Sequence, residues 1–172
     1  MTEFTVRPAR TSDVTRIQAL IHPLVTDRIL LGKESVVLYE AVQEFLVAED
    51  ANGEIIGCGA LHVMWEDLAE VRTLAAAQQW RGKGVGHAIL EALLDRARAL
   101  GVVRVFCLTF EVDFFARHGF EVISDIPVSP EVYAELVRSS DEGVAEFLDL
   151  ARVKPNTLGN SRMLKVLEPV ER

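Results

Sequence analysis

The stretch Gln79-Trp80-Arg81-Gly82-Lys83-Gly84-Val85-Gly86-His87 follows a strand-like run and opens a strongly amphipathic helix. From Arg81 to Gly86 the spacing is R-x-x-G-x-G, with glycine at every second position. Glycine adopts backbone angles closed to other residues and lets main-chain N–H groups approach a ligand closely. At a helix N-terminus, unpaired N–H donors and the helix dipole both favour an anion. We therefore expect this loop to bind a phosphate or pyrophosphate.

Three interpretations of this loop compete. The first is a plain glycine-rich turn before a helix, because short glycine motifs match by chance. The second is a nucleotide-binding motif, but the dinucleotide fingerprint needs G-x-G-x-x-G and the P-loop needs G-x-x-x-x-G-K-[ST], and the spacing here fits neither. The third includes the upstream run Glu70-Val71-Arg72-Thr73-Leu74-Ala75-Ala76, in which Leu74 lies seven positions before Arg81.

Leu-Ala-Ala, a short loop and then R-G-x-G-x-G together resemble the acetyl-CoA signature of the GNAT superfamily of N-acyltransferases. The resemblance covers the chain from about Phe4 to Leu167 and is densest between Glu54 and Phe120. It implies that acetyl-CoA lies where the strand before the loop splays from the next one, with its diphosphate on the loop and its thioester beside the strand. The residues that the resemblance assigns to acetyl-CoA are Leu74, Ala75, Ala76, Arg81, Gly82, Lys83, Gly84, Val85, Gly86, His87 and Phe115.

Four further runs resemble N-acetylglutamate synthases, the amino-acid N-acetyltransferases that begin arginine biosynthesis. They are Ile56-Gly57-Cys58-Gly59-Ala60-Leu61 for I-G-C-A-A-L, Glu70 to Ala75 for E-V-x-C-L-A, Phe114-Phe115 with His118-Gly119-Phe120 for F-F-x-x-H-G-F, and Asn160-Ser161-Arg162 for R-S-K. Thr73 replaces a cysteine of those enzymes and Asn160 an arginine. These departures leave open whether the substrate side chain is a carboxylate or an amide.

The resemblance implies direct attack of an α-amine on the thioester. A protonated amine is not a nucleophile, so a base is needed, and Glu70 is the candidate, with an exposed strand carboxylate as the alternative. Many GNAT enzymes have a tyrosine acid at the position of Phe115, and Thr109 is the candidate acid here. A substrate carboxylate needs cations or several hydrogen-bond donors in its pocket. For Arg72, the alternative to substrate binding is an ion pair with Glu70. The substrate-binding candidates are Lys33, Arg72, Thr73, Asn160, Ser161 and Arg162.

Length and composition predict an ordinary soluble protein. The 172 residues fit one domain, 1–172, and are long enough to bury a sizeable core. A net charge of −8 argues against nonspecific binding to nucleic acid or anionic membranes. Cys58 and Cys107 lie far apart in apolar runs, which predicts buried thiols and no metal site. Without a signal pattern or an apolar stretch of about 18 residues, we expect a cytoplasmic protein. The resemblance implies a homodimer, because small acyltransferases of this family are often dimers.

The periodicity predicts an α+β fold, an antiparallel sheet with helices on both faces. The resemblance implies the GNAT acyl-CoA N-acyltransferase fold, whose sheet is mixed and mostly antiparallel. The first helix is expected to begin after capping oxygens at 11–13 and to end at His22-Pro23. Another is expected over Val85 to Leu100, with Gly101 as its stop. Residues 125–160 are expected to form a helical insertion before the last strand, Ser161 to Leu167.

Two other functions compete with amino-acid acetylation. One is acetylation of a protein N-terminus, a lysine or a foreign amine, for which an open acidic groove would be expected. The other is a domain that senses acyl-CoA without turnover. The absence of a tyrosine at the position of Phe115 is consistent with this alternative. A closed pocket with paired cations would favour a small acidic substrate instead.

Overall fold

The fold is a seven-stranded sheet with helices, as the sequence predicts. A computed structural model describes residues 3–27, 34–153 and 159–168. The strands run in the order β1-β2-β3-β4-β5-β7-β6. The β4–β5 pair is parallel, and the pairs β1–β2, β2–β3, β5–β7 and β6–β7 are antiparallel. The elements are β1 (Phe4–Pro8), α1 (Val14–Thr26), α2 (Ser35–Glu40), β2 (Phe45–Asp50), β3 (Ile55–Trp65), β4 (Leu68–Ala76), α3 (Val85–Leu100), β5 (Arg104–Thr109), α4 (Val112–Arg117), β6 (Glu121–Val122), α5 (Pro130–Leu136), α6 (Glu142–Phe147) and β7 (Ser161–Val166).

Two compact units divide the chain. The first comprises Met1–His62 with Val71–Ala99, and the second comprises Val63–Glu70 with Leu100–Arg172. Each has its own apolar core: in the first, α1 and α2 pack on β2 and β3, and in the second, α5 and α6 pack on β5. The interpretation of 1–172 as one domain stays a prediction. Within the described ranges, no helix is long and apolar enough to cross a membrane.

The first unit corrects two expectations about α1. The helix does not end at His22-Pro23 but continues to Thr26, with Pro23 inside it. Proline lacks only its own N–H, and the Pro23 carbonyl still accepts a hydrogen bond from the N–H of Asp27 at 3.0 Å. Asp13 does not cap α1 with its side chain. Its carboxylate instead receives two bonds from the guanidinium of Arg7, at 2.8 and 3.1 Å, because a charge-assisted pair is stronger than a cap.

In the second unit, side chains cap the helices α5 and α6. Ser129 Oγ accepts a hydrogen bond from the N–H of Val132 at 3.3 Å, at the start of α5. Asp141 Oδ2 accepts one from the N–H of Val144 at 3.0 Å, at the start of α6. These side chains satisfy amides that the first turn of a helix leaves unpaired.

Candidate active site

The glycine loop has the backbone geometry that anion binding requires. Gly82 and Gly84 have φ angles of 75° and 84°, the left-handed region that glycine favours. The first bond of α3 runs from the N–H of Ala88 to the Gly84 carbonyl at 3.0 Å. The N–H groups of Val85 and Gly86 therefore precede the first helical donor, Ala88, since a helix leaves its first donors unpaired. A Cβ placed on either glycine would have no atom within 4 Å other than those of the glycine itself and its two neighbours in the chain, so the loop surface is open.

Aromatic contacts hold the base of this loop. The rings of Trp80 and Phe4 meet edge to face, with centroids 6.2 Å apart. The Lys83 Nζ lies 5.3 Å from the centroid of the Trp80 ring, a cation–π contact. Lys83 and Arg81 are both exposed. The two predicted cations are therefore at the surface beside the open glycines, where they add positive charge.

Two glycines on β3 position α3, and hence the loop. A methyl group at Gly57 would lie 2.5 Å from Val85 Cγ1 and 2.8 Å from Ile89 Cδ1. One at Gly59 would lie 2.9 Å from Ile89 Cγ2. Only hydrogen at these positions permits α3 to pack this closely on the strand. In the sequence, both residues belong to the run that resembles a family strand, and that resemblance does not reveal this role. Glycine inside a strand pattern also signals the close approach of another backbone element, and this signal could have revealed it.

Glu70 lies on β4 and is 4% exposed, so an exposed strand carboxylate is wrong for it. It stands opposite Phe106 in the parallel ladder with β5. That ladder has three residue pairs and ends there, although the strands run to Ala76 and Thr109. Burial raises the pKa of the Cys107 thiol well above its usual value, and the Glu70 charge adds to this. Both effects favour a neutral thiol.

Thr73 has an unusual backbone conformation inside β4. Its φ is 56°, which is rare for a β-branched residue, and it is 8% exposed. Its carbonyl accepts a hydrogen bond from the Cys58 Sγ at 3.3 Å. Such conformations cost about 1–3 kcal/mol and cluster at functional sites. Immediately after Thr73, Leu74 and Ala76 are half-buried and Ala75 is buried.

The predicted acid and part of the predicted substrate set meet at one end of β5 and β7. Thr109 and Ser161 stand directly opposite each other in the β5–β7 ladder. Thr109 Oγ1 accepts a hydrogen bond from the N–H of Glu111 at 2.8 Å, which leaves its hydroxyl hydrogen available. Asn160 precedes Ser161, and its side-chain Oδ1 is buried without a hydrogen-bond partner in the described part of the chain.

Arg162 is held by main-chain carbonyls. Its Nε donates to the Glu146 carbonyl at 3.3 Å, and a terminal nitrogen donates to the Asp125 carbonyl at 3.0 Å and to the Phe147 carbonyl. The guanidinium also lies 5.8 Å from the centroid of the Phe106 ring. Partial burial lowers the pKa of Arg162, and nearby Asp149 and Asp125 oppose this. Its cation therefore stabilises the carbonyl end of α6, as the helix dipole favours.

Of the remaining predicted residues, the structure describes Phe115, Arg72 and His87. Phe115 is 5% exposed and packs edge to face on Phe114 and Phe120, with centroids 5.2 Å apart in each pair. Arg72 is half-buried and His87 is exposed. Lys33 lies outside the described residues.

Comparison with known proteins adds independent information. The model of the acetyltransferase (GNAT) family matches residues 21–120. The chain is 59% identical over 164 residues to an amino-acid acetyltransferase of Mycobacterium tuberculosis, covering 94% of each protein. It is 34% identical to an amino-acid acetyltransferase of Neisseria meningitidis over 70% of this chain, and there it spans only 28% of the relative.

Solved structures agree with these sequence matches. A Mycobacterium tuberculosis protein crystallised in complex with CoA and NLQ superposes with a TM-score of 0.91 at 58% identity, covering 95% of this chain and 99% of that one. The N-acetylglutamate synthase of Neisseria gonorrhoeae, complexed with coenzyme A and N-acetyl-glutamate, superposes with a TM-score of 0.76 at 25% identity. That match covers 98% of this chain and 36% of the synthase.

Proposed function

The chain belongs to the acetyltransferase (GNAT) family, and on that premise we propose that it transfers acetyl from acetyl-CoA to the α-amine of L-glutamate or L-glutamine, the first step of arginine biosynthesis. The observation that carries the proposal is 59% identity across 94% of both chains to an amino-acid acetyltransferase. The structural similarity to a protein crystallised with CoA supports it. The cytoplasmic location and the homodimer are parts of the same proposal.

In this proposal, coenzyme A binds through the main chain of the glycine loop. The amides of Val85 and Gly86 precede the first helical donor, Ala88, and the left-handed Gly82 and Gly84 leave the approach open. These donors suit a diphosphate, and Arg81 and Lys83 add positive charge from the side. Leu74, Ala75 and Ala76 follow the left-handed Thr73, and the β4–β5 ladder ends before them. Their main-chain groups would bond the pantetheine and the thioester carbonyl.

Proton transfer is assigned to two side chains. Glu70 would take the proton from the incoming ammonium, directly or through water, because it is a buried carboxylate on β4, four residues before Leu74. Thr109 would relay a proton to the departing thiolate: its hydroxyl hydrogen moves to the sulfur while its oxygen takes the second proton that the attacking nitrogen loses. The acetyl-CoA thioester supplies the activated acyl group, so no covalent intermediate with the protein is required.

Recognition of the amino acid is assigned to the residues that the resemblance implies. We assign Arg72, Thr73 and Lys33 to the substrate together with Asn160 and Ser161. Arg162 binds the carbonyls of Asp125, Glu146 and Phe147 through Nε and Nη2, and we assign its other terminal nitrogen, Nη1, to the substrate. Its charge would still favour a nearby anion.

A substrate panel tests the proposal. The full chain is incubated with acetyl-CoA and one acceptor at a time: each amino acid, each of a set of peptides, and each of several polyamines. The released CoA thiol and the acetylated product are measured. The proposal expects product with glutamate or glutamine and none with peptides. Product with peptides alone would instead identify a peptide acetyltransferase. Thermal stabilisation by acetyl-CoA without thiol release would identify a sensor domain.

A further inference from the structure

A contact from β3 stabilises the left-handed conformation of Thr73. A φ of 56° is unfavourable for a β-branched residue, so the surrounding structure must hold it in place. The S–H group of Cys58, on β3, donates a hydrogen bond to the Thr73 carbonyl at 3.3 Å. Cys58 is itself fixed, because it is fully buried and pairs with Val47 in the β2–β3 ladder. The thiol therefore ties the left-handed residue to a rigid strand.

The protonation state of Cys58 suits this role. Burial raises the pKa of the thiol to about 12, so at neutral pH it keeps the hydrogen that it donates. The main-chain N–H of Ala75 hydrogen-bonds the same sulfur, which opposes this rise in pKa. One side chain thus contacts the main chain on both sides of Leu74. A buried, protonated thiol is a poor nucleophile, so Cys58 can contribute to a reaction only through position.

These contacts decide which way the main chain of β4 points. The main-chain groups of successive residues in a strand point alternately to its two edges. The N–H of Ala75 points to β3, and so does the N–H of Ala77, which donates to the Ile56 carbonyl at 2.8 Å. Leu74 and Ala76 therefore direct their main-chain groups to the opposite edge of β4, beyond the last residue pair of the β4–β5 ladder.

We propose that Cys58 is a positioning residue for acetyl transfer: its thiol holds the left-handed Thr73 and so directs the main-chain groups of Leu74 and Ala76 to the thioester. The proposal rests on the proposed function, because that function places the thioester beside this part of β4. It goes further by naming a buried residue of the neighbouring strand that sets the rate without touching the reacting atoms.

Two substitutions at Cys58 and one beside it test the proposal. Cys58→Ala removes the donor, and kcat is expected to fall by about 10-fold to 100-fold, since a small misplacement of reacting groups has an effect of that size. The KM for acetyl-CoA should change much less, because the glycine loop still holds the diphosphate. Cys58→Ser keeps a donor on the same Cβ and should recover part of kcat. Val47→Ala, opposite Cys58 in the same core, is the control and should lower the thermal midpoint without changing kcat.

The outcomes separate this proposal from the proposed function. If kcat is unchanged in Cys58→Ala, or if Cys58→Ser recovers none of the loss, the thiol only fills space in the core. Either result would overturn the positioning role and leave the proposed function intact. The absence of acetylated product from the wild-type protein with every amino acid would reject both.

A measurement on the wild-type protein decides the matter if the variants fail to fold. The backbone amide signals are followed by ¹H–¹⁵N nuclear magnetic resonance during titration with acetyl-CoA. The Leu74 and Ala76 signals should shift and saturate, and the Ala75 signal should shift least, because Cys58 already binds its N–H. An Ala75 signal that shifts as much as those of its neighbours would overturn the proposal. No saturable shift at any residue would reject the proposed function as well.

Discussion

The glycine loop at 81–87 and the run Asn160-Ser161-Arg162 were both assigned to ligands from sequence, and they differ in how they present chemistry. The loop offers main-chain N–H groups at the start of α3, fixed by two left-handed glycines. The second run offers side chains, and one of them, Arg162, donates hydrogen bonds to carbonyls of its own unit. A main-chain site follows from a local pattern of glycines, whereas a side-chain site depends on which distant residues surround it.

This contrast gives a functional expectation. Changes to the loop should alter coenzyme affinity and leave the chemical step intact. Changes to the buried carboxylate or to the β5–β7 end should alter turnover or amino-acid choice and leave coenzyme affinity intact. The following predictions test that separation, beginning with the largest effect.

Replacing Glu70 by glutamine should lower kcat by about 100-fold to 10,000-fold, the range for loss of a positioned base. The side chain is 4% exposed and the substitution keeps its size, so folding should be retained. Acetyl-CoA affinity, measured by calorimetric titration, should not change. Glu66→Gln, at an exposed site between β3 and β4, is the matched control. Normal turnover of Glu70→Gln at neutral pH would remove Glu70 as the base.

Replacing Gly84 by aspartate should weaken acetyl-CoA binding by about 100-fold. Aspartate tolerates the left-handed conformation better than most residues and is a favoured helix cap, so α3 should still form. Its carboxylate would then occupy the amides that a phosphate needs and repel the phosphate charge. Gly101→Asp, at a left-handed glycine after α3 with similarly open surroundings, controls for strain. Unchanged affinity in Gly84→Asp would break the assignment of the loop.

Replacing Gly57 by alanine should lower the free energy of unfolding by about 1–3 kcal/mol, the usual cost of overpacking. The new methyl group would lie 2.5 Å from Val85 Cγ1, so α3 must shift. Denaturant titration measures the loss. The double variant Gly57→Ala with Val85→Ala removes the nearest obstructing methyl and should recover part of it. Full stability of the single variant would show that α3 does not depend on this close approach.

Replacing Arg162 by lysine should lower the free energy of unfolding by about 1–2 kcal/mol, because an ammonium cannot bond three carbonyls at the fixed angles of a guanidinium. The same change at Arg98, a surface residue of α3 paired with Asp95, should have almost no effect. If Arg162→Lys is fully stable but KM for the amino acid rises strongly, Arg162 binds substrate directly.

The features that depend on local sequence patterns were predicted correctly. The bounds of α3 agree with the expected Val85 to Leu100, and Gly101 ends it with a φ of 88°, because apolar periodicity and a left-handed stop are local signals. The predicted end of α1 was wrong, because a proline inside a helix removes one hydrogen-bond donor and does not by itself end the helix. The Asp13 side chain was also misjudged, since its partner Arg7 is a tertiary contact that no spacing rule announces.

The candidate site divides along the same line. The glycine pattern of the loop predicted its open backbone. The burial of Glu70, the left-handed Thr73 and the unpartnered Asn160 oxygen emerge only from packing in three dimensions. The partners of Arg162 lie 15 to 37 residues away along the chain, so the motif R-S-K could suggest its importance but not its neighbours.

The most direct test of the central claim follows the backbone amides of residues 82–87 by ¹H–¹⁵N nuclear magnetic resonance during titration with coenzyme A. We predict saturable shifts that are largest at Gly84, Gly86 and His87, because these N–H groups would bond the diphosphate. Saturable binding that leaves all three amides unshifted while signals elsewhere move would contradict the account.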